Sequence, residues 1–164
     1  MPVNVVGREQ GDLGFSSAFS DNMVLQQGKP LRLFGWGASG EEVRVSLDRD
    51  GVRLAEVSAL ADASGKWETI LPAQAPSFVP YTVTARSGGQ QATLKNVLIG
   101  EVWICGGQSN MQLRVQESYE AAQWEEGERH SYIRLFRQEG GCDPNEAWDE
   151  PHGAWETAED WQAV

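Results

Sequence analysis

Between residues 15 and 97, apolar and polar positions alternate in short bursts separated by Gly, Pro and Asp. Residues 42–47 read Glu-Val-Arg-Val-Ser-Leu, and 66–71 read Lys-Trp-Glu-Thr-Ile-Leu. A period of two places alternate side chains on opposite faces of a strand, so each burst predicts a strand with one face buried. The same pattern predicts strands at 22–26, 31–36, 52–60, 81–85 and 91–94. Asp50-Gly51, Ser64-Gly65 and Gly88-Gly89 supply the turns. About seven short strands at this spacing predict an antiparallel β-sandwich over residues 15–97. Val43, Val45, Leu47, Trp67, Ile70 and Val83 are its expected core.

The pattern changes after residue 97. Residues 97–104 form a dense apolar run interrupted by Gly100-Glu101, and 117–126 carry helix-forming residues. Residues 132–136, Tyr-Ile-Arg-Leu-Phe, read as another strand. Strand, helix and strand without a hairpin signal predict a β-α-β unit that opens a parallel sheet. Residues 98–164 are therefore expected to begin an α/β domain and to leave it unfinished. Beyond Gln138 the chain reads as loop, punctuated by Trp148, Trp155 and Trp161. Those rings suit either stacking on a sugar or an apolar face awaiting the rest of the domain. Trp36, Trp67 and Trp103 lie in predicted strands and are expected in the core.

Charge narrows the range of partners. Of the net −11 carried by 164 residues, −1 falls on 1–97 and −10 on 98–164. An acidic half repels phosphate, which argues against nucleic acid and anionic membranes as partners. No run reaches the roughly 18 apolar residues of a membrane span, and no signal peptide is read at the N-terminus. The compartment is left open. Cys105 and Cys142, with two histidines, show no metal-ligand spacing, so neither metal nor cofactor is expected. Cys105 reads as a small core residue.

The candidate chemistry lies at Glu101-Val-Trp-Ile-Cys-Gly-Gly-Gln-Ser-Asn-Met111. Ser109 follows an apolar run through Gly106-Gly107. A residue that opens a helix at the carboxyl end of a parallel strand is where α/β folds place active sites. The free N–H groups there suit a developing oxyanion. The residues do not form a G-x-S-x-G elbow, and a helix N-cap serine is the alternative.

Several stretches in one order bear on this choice: FSDNMVLQQGKP at 19–30, GWG at 35–37, GKWETILP at 65–72, NVLIGEVWICGGQSNM at 96–111 and YIRLF at 132–136. Together they resemble the sialate O-acetylesterase family, within the SGNH-type serine hydrolases with a flavodoxin-like core. Gly106 stands where that family commonly has Ser. The resemblance implies that Ser109 is the nucleophile and that its own backbone N–H is an oxyanion donor. It implies an O-acetylated sugar as substrate. The family's later blocks, with the second oxyanion Gly, the Asn, and the Asp and His of the last block, have no match here. The chain is accordingly expected to be an N-terminal fragment, with the C-terminal part as a separate chain among its partners. Asp149 and His152 have the D-x-x-H spacing of the last block, but they come too soon after Ser109 and read as loop residues. His130 reads as an exposed turn residue. A non-catalytic β-sandwich that binds carbohydrate or another partner is the alternative function.

Overall fold

The computed structural model describes residues 11–107, 109–114, 117–121, 130–138 and 150–158. Ten strands run in the order β1 (Gly14–Phe15), β2 (Val24–Gln26), β3 (Leu31–Trp36), β4 (Glu42–Arg49), β5 (Val52–Leu60), β6 (Lys66–Leu71), β7 (Ser77–Ser87), β8 (Gln90–Gly100), β9 (His130–Phe136) and β10 (Trp155–Ala158). The protein is mostly β-sheet. A short 3₁₀ turn, Ser109–Gln112, is the regular helical element among the described residues.

Strand order is β1-β3-β6 in one sheet, β2-β8-β7-β4-β5 in a second, and β9 with β10 as a separate pair. Two hairpins are closed by paired left-handed residues. Asp50 and Gly51 have φ 51° and 76°, and Gly88 and Gly89 have φ 53° and 82°. Positive φ at both central residues matches the right-handed twist of the flanking strands. One pairing departs from the antiparallel expectation: β2 lies parallel to β8, with Val24 opposite Leu98 and Gln26 opposite Gly100.

The two larger sheets share one core. Leu31, Leu33, Trp67 and Leu71 come from the three-stranded sheet; Val43, Val45, Leu47, Val83 and Val97 come from the five-stranded one. Burial of each such aliphatic side chain contributes roughly 1.5–3 kcal/mol. Ile70 is not in the core but 55% exposed. In β6 the inward phase belongs to Trp67, Thr69 and Leu71, and a period of two then turns Ile70 outward. Trp36 is half-buried rather than enclosed.

The expected strand over 97–104 stops at Gly100. Its parallel neighbour β2 ends at Gln26, opposite Gly100, so among the described residues no strand lies alongside the chain beyond that point. Trp103 is consequently 82% exposed, Ile104 is 98% exposed, and Cys105 is exposed rather than in the core. The β-α-β unit is not seen among the described residues. β9 instead pairs antiparallel with β10, Phe136 opposite Trp155 and Leu135 opposite Glu156. β10 lies in a stretch read from sequence as loop, because four residues are too few to show a period. Of the predicted helix at 117–126, residues 117–121 form no regular helix and 122–126 lie outside the described residues, as do Cys142, Trp148 and Trp161.

The β9–β10 pair is anchored to the first sheet. Glu150 accepts a hydrogen bond from the Trp36 indole and one from Ser17 Oγ at 3.1 Å. Ser17 Oγ also lies 2.6 Å from Pro151 O, so its one proton is shared between the two acceptors. Trp155 donates from its backbone N to Ser20 Oγ at 2.9 Å and from Nε1 to Ala18 O at 3.0 Å. Its ring packs on Phe136, with centroids 5.6 Å apart. Trp155 is thus a docking residue, and it contacts the edge of the main core.

Candidate functional site

The segment that carries Ser109 leaves the second sheet through a polar clamp. Gln27 N donates to Gly100 O at 2.8 Å, and Val102 N donates to Gln26 Oε1 at 3.0 Å. Gln26 Nε2 reaches Glu101 Oε2 at 3.0 Å, and Gln27 Nε2 donates to Glu101 Oε1. Two adjacent glutamines at the end of β2 therefore hold both oxygens of the first residue after β8. The hydrogen bond from Gln27, then that from Gln26, holds the Glu101 carboxyl below its ordinary pKa. Sequence reasoning missed this clamp. Its signal was one carboxylate within an apolar run and a Gln-Gln pair closing an apolar strand.

Residues 101–107 then run exposed without regular structure. A Cβ on Gly107 would collide with the Met111 side chain, whereas one on Gly106 would meet nothing within 4 Å. The glycine at 107 is what lets Met111 fold back over the turn. Ser109 is the first residue of the 3₁₀ turn and is exposed. Among the described residues its hydroxyl has no hydrogen-bond partner, so no N-cap bond of the expected kind is seen.

His152 is exposed and sits two residues after Glu150. Among the described residues no hydrogen bond joins it to Ser109. Asp149 and Gln108 lie outside the described residues, as does the side chain of His130. The carboxylate of the Asp149–His152 stretch that the structure does describe, Glu150, is taken up by Trp36 and Ser17 and serves docking.

No protein-family model matches the chain. It is 31% identical over 140 residues to the sialate O-acetylesterase of Mus musculus, covering 80% of this chain and 26% of that protein. It is 34% identical over 115 residues to the sialate O-acetylesterase of Homo sapiens, covering 65% of this chain and 21% of that one. The fold is similar to the crystal structure of a carbohydrate acetylesterase from Xanthomonas citri. There the TM-score is 0.77 and the identity 28%, over 92% of this chain and 34% of the other. The chain is thus a β-rich homologue of esterases that act on carbohydrates. Its curated relatives are sialate O-acetylesterases, and it spans about a quarter of their length.

Proposed function

We propose that this chain carries the nucleophile of a carbohydrate O-acetylesterase, with Ser109 in that role. Ser109 Oγ attacks the carbonyl carbon of a sugar O-acetyl group while a general base takes its proton. The Ser109 backbone N–H is one donor to the oxyanion. The tetrahedral intermediate collapses, the sugar hydroxyl leaves with a proton, and an acetyl-serine remains. Water then attacks that ester and frees acetate and Ser109.

The observation that carries this reading is the likeness to sialate O-acetylesterases across most of the chain, coupled with a solvent-open Ser109 whose hydroxyl is not spent on a cap. In this reading residues 15–97 are a β-sandwich, and 98–164 open a flavodoxin-like esterase portion. Exposure of Trp103, Ile104 and Cys105 supports that division, since a strand laid beside 101–107 would cover them. The base is the His of the remaining esterase sequence rather than His152.

The test is a chimera in which this chain replaces the homologous residues of the mouse relative, assayed on an O-acetylated sialic acid. Acetate release that falls by about 10⁴-fold or more with Ser109→Ala supports the proposal. Release unchanged by that substitution overturns it.

A further inference from the structure

We infer that the Gln26 side chain stands in for a missing rung of the β2–β8 ladder, and that Gln26 and Gln27, by gripping Glu101, are positioning residues for the Ser109 segment. The inference rests on the reading of Ser109 as the nucleophile, and it gives the five-stranded sheet a part in the chemistry.

The ladder defines the rung. Leu98 N donates to Met23 O at 2.9 Å, and Gln27 N donates to Gly100 O at 2.8 Å. In a parallel pair the bonds are evenly spaced, so each recurs two residues further along both strands. The register that joins Leu98 N to Met23 O would therefore bring Val102 N to Gln27 O. Instead the chain turns away at Gly28, whose φ is 66° and whose N donates to Gln74 O at 2.9 Å. The Gln26 amide fills the gap. Its Nε2 donates to Gln27 O at 3.4 Å, and its Oε1 accepts from Val102 N at 3.0 Å. A primary amide carries the donor and the acceptor of a peptide group, so the register passes from backbone to side chain without a break.

The remaining proton of Gln26 Nε2 goes to Glu101 Oε2 at 3.0 Å, and Gln27 Nε2 donates to Glu101 Oε1. The Gln26 amide thus has both protons and its oxygen engaged, which fixes it in one orientation. Among the described residues, every hydrogen bond made by residues 101–107 belongs to this grip on Glu101 and Val102. Packing adds little beyond it, since Trp103 and Ile104 are open to solvent. The end of β2 therefore sets the path of the chain toward Ser109. A reacting group misplaced by about 1 Å loses about 10²-fold in rate. Loss of an amide that touches neither substrate nor Ser109 should then lower kcat and leave KM in place.

The chimera with the mouse relative, assayed on an O-acetylated sialic acid beside its Ser109→Ala variant, carries the test. Gln26→Met keeps the length of the side chain and removes the amide. It should lower kcat about tenfold or more, with KM changed by less than about twofold and the thermal midpoint nearly unchanged. Gln26→Glu should do the same, because its carboxylate faces that of Glu101. Adding Glu101→Gln to Gln26→Glu places a donor opposite an acceptor again and should recover most of kcat. A purely structural role would move the thermal midpoint instead and would not show this recovery. An unchanged kcat in Gln26→Met, or no recovery in the double variant, overturns the inference while Ser109→Ala still abolishes activity and the nucleophile assignment stands. Activity indifferent to Ser109→Ala removes both. If the chimera does not fold, NMR spectra of the 164-residue chain decide. Gln26→Met should move the amide resonances from Val102 through Ser109, and changes confined to Val102 and Trp103 overturn the inference.

Discussion

Gln26 holds Glu101 and its neighbour with one side chain: its Nε2 donates to the Glu101 carboxylate at 3.0 Å, and its Oε1 accepts from the next backbone amide, Val102 N, also at 3.0 Å. The end of β2 thus fixes the direction in which the chain leaves β8 toward Ser109. A loop that presents a nucleophile depends on such support, because misplacement of about 1 Å costs reactivity steeply.

A pH dependence follows from this clamp. Hydrogen bonds from Gln27 and Gln26 favour the ionised Glu101, so its folded-state pKa is lowered. A group depressed in the folded state adds stability that is fully present above its ordinary value and is lost as pH falls through the folded value. Amide hydrogen exchange at Val102, corrected for the intrinsic rate, should therefore rise as pH drops below the ordinary carboxylate range. Glu101→Gln should flatten that dependence. A flat profile in the unsubstituted chain would remove the clamp from consideration.

Trp67 is the largest fully buried side chain in the core, at 1% exposure. Its Nε1 donates to Trp36 O at 2.9 Å, and its ring meets Phe15 edge-on at 5.4 Å. Trp67→Ala would leave a cavity and remove the indole donor from the part-buried Trp36 carbonyl. The expected loss is about 3–5 kcal/mol of unfolding free energy, measured by urea denaturation. A loss below about 1 kcal/mol would mean that the two sheets do not pack around this ring.

Two positions along in the same strand, Thr69 is buried and its Oγ1 has no hydrogen-bond partner among the described residues. A buried hydroxyl without a partner costs about 1–3 kcal/mol in desolvation. Thr69→Val keeps the shape and removes that cost. The variant should be more stable than the parent by about 1 kcal/mol in the same denaturation experiment, and destabilisation would show that the hydroxyl is satisfied in solution.

How far the sequence revealed this arrangement depended on whether each element announces itself locally. The strands at 31–36, 52–60 and 66–71 were legible to the residue, because their alternation and turns are encoded within a few neighbouring positions. Ile70 was misplaced because an alternating strand with apolar residues on both faces needs its phase fixed by a partner sheet. The strand expected through Ile104 failed for a related reason. Apolar, β-branched residues permit a strand, but pairing requires a neighbour, and β2 stops opposite Gly100. Trp155 was read as a ring on a loop, because its hydrogen bonds to Ser20 and Ala18 cross more than 130 positions. Ser109 was found through the diglycine before it and the motif order. The clamp behind it, formed by residues 75 positions apart, left no local pattern.

The last prediction concerns the chain assayed by itself. A serine hydroxyl is a weak nucleophile near neutral pH unless a base within hydrogen-bond reach takes its proton. Among the described residues, none hydrogen-bonds Ser109 Oγ, and His152 is exposed on a segment whose carboxylate, Glu150, is committed to Trp36 and Ser17. The apolar run between the Glu101 clamp and the serine is likewise uncovered, with Trp103 and Ile104 82% and 98% exposed. Members of a catalytic triad act as a unit, and each missing oxyanion donor costs roughly 10²–10³ in kcat. The purified 164-residue chain should therefore hydrolyse 4-nitrophenyl acetate and an O-acetylated sialic acid at rates indistinguishable from those of Ser109→Ala. His152→Ala should not alter them. Robust turnover abolished by both substitutions would reverse this conclusion, and would make Ser109 and His152, with Asp149, a self-sufficient triad.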